Sequence, residues 1–115
     1  MKKKFDVQFL EEAQIFLEGL GEKERNKIYF NIRKSQCIND NELFKKLNDN
    51  IWEFRTLYNS KAYRLFAFWD KSRKVEIVVI STHGILKKTQ KTPTKEIEKA
   101  ENIRIEYLKK NNRDD

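Results

Sequence analysis

The chain has 115 residues, 38% apolar and 37% charged, with a formal net charge of +7. That length suits one domain, expected to span 1–115, with a single core, and eight Phe, four Tyr and two Trp argue against disorder. Cys37 is the only cysteine, which excludes an intrachain disulfide and a thiol-rich metal site, and no apolar run nears the ~20 residues that cross a bilayer.

Residues Lys3 to Phe9 alternate, with Phe5, Val7 and Phe9 on one side, and predict a first strand. Met-Lys-Lys-Lys before it has the charge of a signal peptide's start, but Asp6, Gln8, Glu11 and Glu12 interrupt the apolar residues that should follow. A cytoplasmic protein is expected. Phe9, Ala13, Phe16, Leu17 and Leu20 then recur at helical spacing, with Gly21 where a C-terminal glycine cap belongs. A second helix is predicted from about Glu22 to Gln36, with Ile28, Tyr29 and Ile32 inward, so that the two helices form a hairpin. In "CINDNELFKKLND", Leu43, Phe44 and Leu47 anchor either one short helical turn or a pinned loop.

Three strands are predicted next: Ile51 to Tyr58, Ala62 to Asp70 and Lys74 to Thr82. The short connections "NSK" and "DKSR" make them an antiparallel meander. Pro93 marks a last helix running to about Lys110, with Pro93 at the first helical position, Thr92 as N-cap and a frayed tail over 111–115. The expected fold is α+β: a small antiparallel sheet, an N-terminal helical hairpin and a C-terminal helix, in the order β-α-α-β-β-β-α.

Several charges fall on faces that should be apolar. Strand alternation puts Glu53 and Arg55 between Ile51 and Leu57, and Arg64 before Phe66 and Phe68. Helical spacing puts Arg104 in the stripe of Ile97, Ala100, Tyr107 and Leu108. A buried charge costs several kcal/mol unless paired. Glu53, the one acid near these arginines in the predicted strands, is expected to form a structural ion pair with Arg104. Arg55 and Arg64 are then left to face a groove that receives an anion. The acid-free loop after the third strand holds Lys87, Lys88 and Lys91 and ends at a helix N-terminus, which suits phosphate. The excess of positive charge points to a polyanionic partner. His83, the only histidine, is open to two readings: a hydrogen-bonded structural residue, or an acid–base group near neutral pH.

The segments "IWEFR", "YRLFAFWD", "HGILKKTQKTP" and "EIEKAENIR" together resemble the phage-derived, HigB-like branch of the RelE toxin superfamily. Ile85 stands where that resemblance leads one to expect phenylalanine. The resemblance implies a metal-free and cofactor-free endoribonuclease that cuts mRNA, usually in the ribosomal A site, and that is neutralised by a cognate helix-turn-helix antitoxin. In that chemistry the ribose 2′-OH attacks the adjacent phosphate. The resemblance assigns phosphate and transition-state contacts to Arg55, Arg64, Lys87, Lys88 and Lys91, with Thr89, Gln90 and Lys95 as further RNA contacts. The general base stays open among His83, a lysine of lowered pKa and Glu53. A non-catalytic RNA- or ribosome-binding protein of the same fold is the alternative, as is a phage regulatory protein that has lost the chemistry.

Overall fold

The computed structural model describes residues 2–72, 78–87 and 91–111. Among them, three helices pack on a five-stranded, mostly antiparallel sheet. The chain order is β1 (Asp6–Phe9), α1 (Glu11–Glu18), α2 (Glu22–Cys37), β2 (Phe44–Lys46), β3 (Trp52–Tyr58), β4 (Lys61–Asp70), β5 (Val78–Lys87) and α3 (Thr94–Asn111). Across the sheet the order is β1-β5-β4-β3-β2. The meander β3-β4-β5 is antiparallel, as predicted. β1 joins the same sheet but runs parallel to β5, because α1 and α2 carry the chain away from it.

Two turn assignments change. α1 ends at Gly19, and Gly21 is extended (φ −65°) as the N-cap of α2, so it does not cap the preceding helix. Glu11 and Glu12 in the first turn of α1, and Glu22 and Glu24 in that of α2, complement the positive end of each helix dipole. The segment read as a helical turn or loop contains β2, three residues paired antiparallel to β3. Asn59 and Ser60 close the β3–β4 hairpin with φ of 51° and 63°. Both central residues of a type I′ turn need positive φ.

The sheet has an aromatic face and a mixed face. Against α1 and α2, Phe5, Phe44, Phe54, Leu65 and Val79 pack with Leu17, Ile28 and Ile32. Phe44 stacks on Phe54 with ring centroids 4.3 Å apart, and lies 4.8 Å from Trp52. Against α3, Phe66, Phe68, Val78 and Ile80 pack with Ala100 and the half-buried Ile97 and Tyr107.

A β-bulge divides β5. Phe66 pairs with His83 while Ala67 pairs with Ser81, so Thr82 is the extra residue. An extra residue reverses the alternation beyond it. His83, Ile85 and Lys87 therefore share the α3 face with Val78 and Ile80, and Gly84 faces α1. There Phe16 lies over the backbone so closely that a Cβ on Gly84 would meet its ring at 2.3 Å.

Candidate nucleic-acid interface

The α3 face turns from apolar to charged along its strands. Glu53 lies opposite Lys45 on β2 and opposite Phe66 on β4. Two residues further along β3, Arg55 lies directly opposite Arg64, which in turn faces Ile85. Lys87 ends β5 opposite Ala62. Residues opposite one another in antiparallel strands point to the same face. Lys45, Arg55, Arg64 and Lys87 thus approach one buried carboxylate from four adjacent strands.

Glu53 is 2% exposed. Its Oε1 lies 3.3 Å from Arg64 Nε, and the Thr92 hydroxyl donates to it at 3.2 Å. Lys87 Nζ donates to that same hydroxyl at 3.4 Å. Arg64 Nη1 donates to the Tyr63 carbonyl, and Arg55 Nη1 to the Asn41 carbonyl. The Nε of each arginine is buried and has no hydrogen-bond acceptor among the described residues. For Arg64, the carboxylate is close enough to neutralise charge but not aligned as an acceptor.

This is an expensive arrangement. Like charges directly opposite in a sheet destabilise it, and buried donors without acceptors cost about 1–3 kcal/mol each. Burial lowers the pKa of Arg64, with Arg55 adding to the effect and Glu53 opposing it. A guanidinium stays charged regardless. Burial also lowers the pKa of Lys87; Arg64 pushes it the same way, as do Arg55 and Lys45, while Glu53 opposes. Lys87 therefore gives up its proton more readily than an ordinary lysine.

Thr92 was expected to cap α3. Instead the Pro93 carbonyl accepts from the backbone N–H groups of Glu96 and Ile97, and the Thr92 side chain belongs to the charged cluster. The expected Glu53–Arg104 pair does not form. Arg104 pairs with Glu101 one turn earlier on α3, and Glu53 with Arg64.

His83 lies apart from this cation cluster. It is 3% exposed and its ring stacks on Phe66 at 4.8 Å. Nδ1 meets the Thr82 hydroxyl and Nε2 meets Glu96 Oε1, each at 3.0 Å. With a carboxylate at Nε2, the network fits the Nε2–H tautomer, with Nδ1 accepting from Thr82. Burial lowers the His83 pKa, partly offset by the Glu96 hydrogen bond. Lys87 is four positions further along β5, about 13 Å away.

Lys91 is exposed one residue before Thr92. Lys95 sits on the outer side of α3 beside Glu98 and Lys99. Lys88, Thr89 and Gln90 lie outside the described residues, as do 73–77, which include the start of the predicted third strand, and 112–115 of the tail. Lys45 is the cation that sequence reasoning missed, because its strand was not recognised. No three His, Cys, Asp or Glu side chains converge as a metal site among the described residues. No helix there is long and apolar enough to cross a membrane.

The model of one protein family, the phage-derived protein Gp49-like family (DUF891), matches residues 15–104. That span runs from within α1 to within α3 and includes Lys45, Glu53, Arg55, Arg64, His83, Lys87 and Thr92. No curated protein matches the chain.

Proposed function

The chain belongs to the Gp49-like family, within the RelE/toxin-like superfamily, and on that premise we propose that it is the toxin of a toxin–antitoxin pair, an endoribonuclease acting on mRNA in the cytoplasm, in the ribosomal A site. The observation that carries the reading is the opposed Arg55–Arg64 pair, extended by Lys45 and Lys87 across four strands. A protein that only needed a stable sheet would not place like charges there. A phosphodiester resolves the conflict by supplying the missing anion.

In the proposed reaction the ribose 2′-oxygen bonds to the adjacent phosphorus and the bond from phosphorus to the 5′-oxygen breaks. The products are a 2′,3′-cyclic phosphate and a 5′-hydroxyl. Arg64 and Arg55 stabilise the negative charge that accumulates on the non-bridging oxygens. Lys87, with its lowered pKa, is suited to exchange a proton with the attacking or leaving oxygen. Glu53 holds Arg64 and the Thr92 hydroxyl in place. His83 buttresses Phe66 and α3 in this reading. The HigB-like assignment, the metal independence and the helix-turn-helix antitoxin rest on the motif resemblance of "IWEFR" and "HGILKKTQKTP".

Induced expression of the chain tests the reading, with RNA ends mapped afterwards. Growth arrest with mRNA cut to 2′,3′-cyclic phosphate and 5′-hydroxyl ends is expected. Arrest without cleavage would support an RNA- or ribosome-binding protein instead. No effect on growth or RNA would remove both.

A further inference from the structure

A second groove opens where α3 crosses the far end of β3 and β4. It encloses about 710 Å³ and is lined by Trp52, Trp69, Lys46, Lys71, Arg104 and Asp49, among others. Its volume is in the range of ligand-sized sites. The two indoles meet edge to face, with centroids 5.8 Å apart, and both are half-buried. Among the described lining residues Lys46, Lys71 and Arg104 stand with Asp49, and Glu101 pairs Arg104, which leaves a small positive balance. Aromatic faces beside cations, along a protein that proposedly handles RNA, are the combination that holds single-stranded nucleic acid.

The groove lies near the charged cluster along the chain but across the sheet from it: alternation turns Trp52 and Lys46 to the aromatic face, while their neighbours Glu53 and Lys45 face α3. Trp52 precedes Glu53 on β3, and Lys46 follows Lys45 on β2. Only about 10 Å of strand separates Trp52 from Arg55. The groove also explains Arg104. Its guanidinium, held by Glu101, faces a site for an anion rather than the core.

We propose that the Trp52–Trp69 groove is a second nucleotide-binding site, which stacks a base of single-stranded RNA on indole and holds its phosphate with Lys46, Lys71 and Arg104. The proposal rests on the reading of the chain as an RNA-handling protein and assigns a further part of the RNA path.

Trp52 and Trp69 are the only tryptophans in the chain, so tryptophan fluorescence reads out this groove, and a double variant separates it from binding at the charged cluster. The probe is a short 2′-O-methyl oligoribonucleotide, which has no free 2′-hydroxyl and is not cleaved by the proposed chemistry. The full chain should show saturable, salt-sensitive quenching. Lys46→Glu with Lys71→Glu, both exposed positions, should weaken it by at least about tenfold. Quenching that is absent, or unchanged in the double variant, overturns the proposal. So does quenching by a poly-glutamate peptide but not by the oligonucleotide, which would assign the groove to an acidic protein. The two readings fail separately. RNA cleavage without quenching removes only this groove, and quenching without any RNA cleavage removes only the nuclease.

Discussion

The two faces of one sheet follow different rules. Under α1 and α2, β4 presents Tyr63, Leu65 and Ala67 to an aromatic core. Under α3, the same strand presents Arg64, then Phe66 and Phe68, and the arginine faces a second arginine across the ladder. The first face shows what this sequence does to fold. The second shows where it departs from good packing, and departures of that kind concentrate at functional sites.

Substitutions can break or sharpen that contrast. The largest stability effect should come from Glu53→Ala, which leaves Arg64 buried without its counter-charge. Losing one partner of a buried pair costs about 3–5 kcal/mol, read as a shift in the denaturation midpoint. A wild-type midpoint would mean that the cations do not depend on this carboxylate. On the opposite face, Gly84→Ala forces the Phe16 ring aside, and overpacking of this sort costs about 1–3 kcal/mol. An unchanged melting temperature would show that α1 moves freely over β5.

Smaller effects are expected at the rim. Lys45 is exposed, so Lys45→Ala should leave stability within about 0.5 kcal/mol. It should weaken RNA binding irrespective of sequence and lower the salt slope by about one. An unaltered slope would place Lys45 outside the RNA path. A comparably small stability change is expected for Arg104→Ala. Its pair with Glu101 is one helical turn long and partly exposed, worth about 0.2–0.5 kcal/mol. A loss of several kcal/mol would mean that Arg104 supports the core after all.

The aromatic face was legible in the sequence because period-2 and helical spacing both survive there. Ile28 and Ile32 are buried as the helical spacing requires, and β3, β4 and β5 pair antiparallel as the period-2 segments predict. The mixed face was legible only in part. Arg55 and Arg64 stand out as charges in apolar strands, and the structure sets them side by side. Three features were hidden for physical reasons. β2 has only three residues and borrows its conformation from β3, leaving too short a pattern to detect. The bulge at Thr82 breaks alternation, so β5 was expected to end before His83, whereas it runs on to Lys87. Thr92 has the right chemistry for a cap, and only the fold reveals that Glu53 claims its hydroxyl. Strand and helix faces alone point Arg104 to Glu53, but Glu101, one turn earlier on its own helix, lies nearer.

The most direct test compares wild type, Arg64→Ala and Lys87→Ala in single-turnover cleavage of ribosome-bound mRNA at saturating protein, with folding and affinity measured in parallel. Loss of one transition-state contact predicts a rate ~10²–10³ lower while RNA is still bound. Variants that fold, bind and cleave at the wild-type rate would contradict the account, leaving the opposed arginines without a catalytic role.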